Sequence, residues 1–220
     1  MKTKTPKKTI TFCIAALLAL TITGQCFASS TPFTDLDTIS AKDKILTLQK
    51  EGYVNGISEG LFAPSKNVTA AESIQLIVNA LNLNLDTIRF IKEPKATNYF
   101  SKAIDDAWYS NALIVASVNG LDLPADMDPN MEWTREEFTY HLIQAMEKHE
   151  NLPMIKIVPA DIADASQINS SYSGAIERAL VYKIVNLDSK GNFNPTEKIS
   201  RAEAAEQVYN ALEYIKTISK

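Results

Sequence analysis

The chain has 220 residues, of which 22 are Lys or Arg and 26 are Asp or Glu, so its formal net charge is −4 at pH 7. This acidic balance argues against nonspecific binding to nucleic acid, whose phosphates attract basic proteins. Hydrophobic residues make up 45% of the sequence, which is enough for one substantial core or several small cooperating units.

Residues 1–28 are typical of a secretory signal peptide. Four lysines precede an apolar stretch, and small residues at positions 26 and 28 predict cleavage before Ser29. The bulky Gln25 disfavours the alternative, a lipid anchor on Cys26. Cleavage would remove both cysteines, which excludes a disulfide from the mature chain, and would leave a net charge of about −8. No later run reaches the roughly twenty apolar residues that span a bilayer.

A loop-to-helix junction occurs three times in the rest of the chain, with the same spacing from a proline to a hydroxyl residue. We infer three degenerate repeats, at residues 29–90, 96–150 and 157–216, the middle one with a loop shorter by about three residues. The junctions are Phe62-Ala63-Pro64 before Thr69-Ala70-Ala71-Glu72, Met127-Asp128-Pro129 before Thr134-Arg135-Glu136-Glu137, and Phe193-Asn194-Pro195 before Ser200-Arg201-Ala202-Glu203.

Each repeat is predicted to form a helix, an irregular loop and a second helix. The first helices are expected at 41–51, 109–119 and 172–183. The second helices begin at the junctions, where a hydroxyl residue and a glutamate three positions later form a capping box that accounts for the glutamates without catalysis. Trp133 is expected to pack on Phe138 as a hydrophobic staple, and His141 to lie on the helix surface.

One such helix pair cannot bury its own apolar stripe, so the three copies must pack together. The predicted fold class is therefore mainly α, with three helix–loop–helix repeats arranged as one pseudo-threefold helical body.

The motifs Phe33-Thr34-Asp35, Asn55-Gly56 and Gly60-Leu61-Phe62-Ala63-Pro64, with Ser200-Arg201-Ala202-Glu203 of the third copy, resemble the S-layer homology domain of bacterial cell-surface proteins. The resemblance covers nearly the whole mature chain. It implies a secreted protein whose grooves bind an anionic secondary cell-wall polysaccharide, often through a pyruvylated sugar, and which is held noncovalently on the wall.

The expected ligand-binding residues are Arg135, Arg201, Trp108, Asp35 and Asp164. Both arginines follow a helix N-cap, where free amides and the helix dipole favour an anion and a guanidinium can pair with a carboxylate. Trp108 would stack on a sugar ring. The two aspartates would either order their loops or contact a sugar hydroxyl.

Some positions depart from the family pattern. Ala70 replaces the arginine in the first copy, Lys102 replaces the acid of Phe-x-Asp in the middle copy, and serines replace Trp108 in the other two. At least one groove is therefore expected to be inactive. The alternative function is an interaction or assembly factor whose grooves bind another exported protein.

No catalytic residue, cofactor or metal site is predicted. His141 and His149 lack a ligand-spaced partner, and the acidic residues of the middle repeat do not fit a calcium loop. The sequence thus favours a binding protein over an enzyme.

Overall fold

The computed structural model describes residues 32–150, 152–153 and 160–218, so the predicted signal peptide lies outside the described residues. These ranges contain two short 3₁₀ turns and isolated β-bridges but no strand, which confirms the mainly α class. None of their helices is long and apolar enough to cross a bilayer. The helices are α1 (Lys42–Lys50), α2 (Ala70–Ala80), α3 (Ser110–Val118), α4 (Arg135–His149), α5 (Ser173–Val181) and α6 (Arg201–Ile218).

The first helix of each repeat is slightly shorter than predicted and ends in a left-handed residue. Gly52 (φ 81°), Gly120 (φ 79°) and Lys183 (φ 58°) occupy this position in α1, α3 and α5. Glycine adopts this conformation without a Cβ penalty, whereas Lys183 bears that cost.

Each second helix starts with the predicted capping box. In α2, the hydroxyl of Thr69 accepts from the Glu72 amide, and the Glu72 carboxylate accepts from the Thr69 amide. The same reciprocal pair forms at the start of α4 and α6. The glutamates therefore serve as helix caps.

Immediately before these caps, three buried residues form a closed ring of backbone hydrogen bonds. The amide of Val68 donates to the carbonyl of Ile199, that of Ile199 to Trp133, and that of Trp133 to Val68, each at 3.1 Å. One residue comes from each repeat, so the ring lies on the pseudo-threefold axis. We name it the central ring.

The next two amides of each second helix donate to carbonyls of a neighbouring repeat. This overturns the expectation of free amides at these N-termini, because the neighbouring loop already satisfies the donors that would attract an anion. The donor–acceptor pairs are Ala70–Met131 and Ala71–Pro129, Arg135–Glu197 and Glu136–Pro195, and Arg201–Lys66 and Ala202–Pro64, at 2.8–3.1 Å.

Helix packing also closes in a circle. The close pairs are α2 with α3, α4 with α5 and α6 with α1, so each second helix packs on the first helix of the next repeat. The three second helices also contact one another at the centre. The repeats therefore share one core, as the pseudo-threefold arrangement requires.

The prediction that His141 lies on the helix surface is wrong. Its side chain is only 3% exposed, and its ring stacks on that of Trp133 with centroids 4.7 Å apart. Trp133 is buried, as expected of a structural residue, but its ring partner here is His141. Position 141 matches Leu76 of α2 in register, so it belongs to the apolar stripe despite its polar type.

His141 should make the fold sensitive to acid. Burial lowers its pKa from 6.5 to about 4, against a smaller opposing effect of Gln144. The unfolded chain therefore binds more protons between these two pH values, and stability falls as the pH falls through that window. We expect His141 to account for a loss of about 3 kcal/mol in the free energy of unfolding.

Denaturant unfolding of the unchanged protein and of His141→Leu, at neutral pH and at the acid end of the window, tests this expectation. The variant should lose less stability on acidification. His149→Gln, at an exposed histidine of the same helix, serves as the control. Equal losses in all three proteins would contradict the assignment.

Candidate functional site

A groove of about 450 Å³ lies between the first and third repeats. Its floor is α2, one wall is the irregular loop after α1, and the other wall is the start of α6. The second repeat supplies one residue, Trp108, which lies two positions before the start of α3. The groove is lined by Tyr53, Val54, Asn55, Gly56, Ile57, Phe62, Val68, Glu72, Gln75, Leu76, Asn79, Trp108, Arg201, Ala204 and Ala205.

Arg201 crosses from the third repeat to the loop of the first. Its Nε donates to the carbonyl of Phe62 at 2.9 Å, and Nη2 donates to that of Asn55 at 3.0 Å. The guanidinium also lies over the Phe62 ring, 4.7 Å from the centroid. These contacts use the Nε side of the guanidinium, so a ligand would meet its Nη1 end.

Two carboxylates lie near this cation. Burial lowers the pKa of Arg201 from its usual value, and the charges of Glu72 and Asp35 oppose that shift. Burial acts to raise the pKa of Glu72, but hydrogen bonds from the Thr69 amide and Lys66 hold it below its usual value. Arg201 remains charged but partly compensated, so it can hold an anion only at close range.

Trp108 forms the apolar part of the groove rim. Its side chain is 64% exposed and meets Tyr109 edge to face, with centroids 5.5 Å apart. The structure therefore brings together two of the predicted site residues, Arg201 and Trp108, from different repeats. An exposed indole and a guanidinium that line the same groove offer stacking and charge to one ligand.

Gly56 keeps the groove wall tight, and the sequence analysis did not identify it as a groove residue. A Cβ at this position would lie 2.6 Å from the Leu61 carbonyl oxygen and 2.7 Å from that of Ser58. Only glycine fits this close approach of backbone to backbone. The third copy has Leu187 at the equivalent position. This difference in sequence is the signal that could have indicated a tighter loop in the first copy.

Arg135, the counterpart of Arg201, lies outside this groove. Its Nη2 contacts Glu203 at 2.5 Å and Glu197 at 3.7 Å, and its side chain is 20% exposed. Where α1 packs on α6, Lys44 of α1 pairs with Glu206 of α6 at 2.7 Å. The position equivalent to Trp108 here is Ser40. The structure therefore does not bring Arg135 together with an exposed aromatic residue.

The remaining equivalent position has Ala70 in place of the arginine. There, Tyr140 of α4 stacks on Tyr172, with ring centroids 4.4 Å apart. The Glu136 carboxylate accepts from the Asn169 amide at 2.9 Å. Contacts within the protein thus occupy this side of the body.

Asp35 and Asp164 bind their own loops. Asp35 accepts from the amides of Phe62 (3.0 Å) and Ala63 (2.7 Å). Asp164 accepts from the equivalent amides of Phe193 (2.8 Å) and Asn194 (2.7 Å). Each oxygen of both carboxylates accepts one loop amide, which supports the loop-ordering alternative.

The middle repeat closes its loop without an acid at position 102. The amide of Ser101 donates to the Ala125 carbonyl at 2.8 Å, and its hydroxyl contacts the same oxygen at 3.2 Å. The first repeat makes the same contact between Thr34 and the Gly60 carbonyl, in addition to the bonds of its carboxylate. Among the residues described, no three His, Cys, Asp or Glu side chains are grouped so as to hold a metal ion.

Comparison with known proteins gives a family match and several relatives. The S-layer homology domain matches residues 32–72 and 161–205, the two stretches that supply the groove loop and Arg201. Exoglucanase XynX of Acetivibrio thermocellus is 30% identical over 200 residues, which is 88% of this chain and 18% of that protein. The surface-layer 125 kDa protein of Lysinibacillus sphaericus is 28% identical over 199 residues, or 87% and 16%.

Amylopullulanase of Thermoanaerobacterium thermosulfurigenes is 30% identical over 184 residues, which is 82% of this chain and 9% of that protein. The chain thus spans less than a fifth of the length of these three relatives. The reactions in their names describe proteins at least five times as long as the matched part.

The loop-binding role of Asp164 predicts a stability effect. Asp164→Asn leaves one buried amide with a poorer acceptor, so it should lower the free energy of unfolding by about 1–3 kcal/mol. Thermal or denaturant unfolding measures this change. Asp161→Asn, at an exposed residue of the same segment, should change stability little. An Asp164→Asn protein as stable as this control would contradict the role.

Proposed function

The chain belongs to the S-layer homology domain family, and from that premise we propose that it is exported and binds an anionic cell-wall polysaccharide noncovalently. The family match and the surface-layer relative support attachment at the bacterial cell surface in general. The observation that carries the finer proposal is the groove in which Arg201 and Trp108 meet. A pyruvylated sugar fits this chemistry, because it combines a carboxylate with a ring that an indole can cover.

The proposal assigns one working groove to each chain. Of the three equivalent positions, the one with Arg201 combines an open groove, an arginine and an exposed tryptophan. Arg135 is bound by Glu203, and Ala70 has no charge to offer. Binding should therefore saturate at one saccharide unit per chain.

Affinity in this groove must arise from local contacts. The mature chain would carry about −8, which repels an anionic polymer at long range. At contact, the stacked indole and the hydrogen bonds of a partly desolvated guanidinium outweigh this screened repulsion. We therefore expect binding to depend only moderately on salt concentration.

Binding without turnover is part of the proposal. The groove contains Glu72 as its carboxylate, and that group is committed to the capping box and to Lys66. His141 is buried and stacked on Trp133. A hydrolytic mechanism needs an acid and a base that both reach the substrate, and these two groups do not supply them.

The alternative is that the chain binds another exported protein. The Tyr140–Tyr172 stack and the Lys44–Glu206 pair favour it, because they occupy two of the three equivalent positions with contacts inside the protein. Surfaces built in this way would present side chains to a protein partner instead of an open sugar groove.

Co-sedimentation with purified bacterial walls, intact and stripped of their secondary polymer, tests the proposal. Trp108→Ala should weaken binding at least about tenfold without unfolding the protein, because the indole is exposed and would contribute chiefly to the ligand. Arg201→Lys should also weaken it, since lysine lacks the planar fork that reaches two carbonyls.

Ile91→Ala is the matched control for Trp108→Ala, since Ile91 is an exposed apolar residue outside the groove. Arg135→Lys is the counterpart of Arg201→Lys and should retain binding, because Arg135 pairs with Glu203 outside the groove. Equal weakening by the Arg135 and Arg201 variants would contradict the single-groove assignment. No binding of the unchanged protein to intact walls would favour the protein-partner alternative.

A further inference from the structure

We propose that Asn55 is a site of spontaneous deamidation, and that its conversion inactivates the groove. Asparagine followed by glycine is prone to this reaction, because glycine has no side chain to hinder attack by its own amide nitrogen. The sequence contains the tripeptide Val-Asn-Gly twice, at Val54-Asn55-Gly56 and Val118-Asn119-Gly120. Because the two sites have the same tripeptide sequence, any difference in their rates of deamidation must come from the fold.

The fold protects Asn119. The Gly120 amide donates to the Ser117 carbonyl at 3.0 Å, at the end of α3. The side-chain Nδ2 of Asn119 donates to the carbonyls of Val115 (2.8 Å) and Asn84 (3.0 Å). Ring closure would have to break these three hydrogen bonds at once, so it requires local unfolding of the helix end.

Asn55 has no comparable protection. Asn55 and Gly56 are exposed and lie in irregular backbone on the groove wall. Within the described part of the chain, no acceptor receives the Gly56 amide and no hydrogen bond holds the Asn55 side chain. The Asn55 backbone carbonyl is engaged by Arg201 at 3.0 Å, but that oxygen takes no part in ring closure.

The reaction needs only water. The Gly56 nitrogen attacks Cγ of Asn55, a C–N bond forms, and the side-chain nitrogen leaves as ammonia with the transferred proton. Water then opens the resulting succinimide at either carbonyl and yields aspartate or isoaspartate. No oxidation or reduction occurs, and the chain gains one negative charge.

The consequence for the groove rests on the proposed function. Either product places a carboxylate beside Arg201, which would compete with an anionic ligand for the guanidinium. Isoaspartate also adds a methylene to the main chain next to Gly56, where a single Cβ would already lie 2.6 Å from the Leu61 oxygen. The third copy has Asn186-Leu187 at this place, where the branched side chain hinders cyclisation.

Peptide mapping by mass spectrometry, with detection of isoaspartate, measures the modification independently of binding. In the folded full chain, held in mildly alkaline buffer, Asn55 should convert at least about tenfold faster than Asn119. In denaturant the two sites should convert at similar rates, because their neighbours are the same. Similar rates in the folded chain, or an intact Asn55, would overturn the proposal.

Wall binding of aged relative to freshly purified protein then tests the consequence. The ratio should fall in step with conversion at Asn55, and it should stay constant for Asn55→Gln, whatever that variant's initial affinity. A constant ratio in a fully converted protein would overturn the inactivation. If fresh protein does not bind walls, the proposed function fails, while the mapping result still decides whether Asn55 is the modified site.

Discussion

The central ring is the constraint on which the rest of the structure depends. Val68, Trp133 and Ile199 exchange backbone hydrogen bonds in one direction around the axis, and each precedes the cap of a second helix. Because a backbone hydrogen bond fixes both the position and the direction of the chain, the ring places the starts of α2, α4 and α6 around one centre. The two amides that follow each cap then reach into the neighbouring loop, so every junction is completed by another repeat. No single repeat can therefore satisfy its own backbone.

This closure determines what kind of binding site the fold can offer. A helix N-terminus with free amides is a natural anion site, but here the neighbouring loops have already taken those donors. The residue that follows each cap still offers its side chain, and in two of the three repeats this residue is an arginine. Arg201 reaches the loop of the first repeat and stays near open space, whereas Arg135 meets Glu203 and Glu197. The backbone is therefore the same at the three positions, but the side chains that follow the caps have different contacts.

Sequence reasoning succeeded where the determinants were local. Each capping box depends on two residues that are three positions apart. The end of each first helix depends on the residue at the turn that follows it. Both features could therefore be predicted from the sequence. It failed where the partner lay far along the chain. The pairing of Arg135 with Glu203 joins residues 68 positions apart. The error at His141 has a different cause: this polar residue was expected on the surface, although its register matches Leu76 and its stacking partner, Trp133, lies only two residues before α4. Gly56 carried a visible signal, but its close contacts with Ser58 and Leu61 appear only in the folded loop.

The three equivalent positions also differ in how far contacts inside the protein fill them. The open groove leaves the Nη1 end of the half-buried Arg201 and most of the Trp108 indole exposed to solvent, although Arg201 binds two carbonyls of the first repeat and Trp108 contacts Tyr109. The other two positions have replaced such openings with contacts that stabilise the body, an ion pair at Lys44 and a tyrosine stack at Tyr140. Because all three positions share the central ring, those contacts stabilise the same body that carries the groove. Loss of symmetry therefore leaves an open groove at one position, while contacts inside the protein fill the other two equivalent positions.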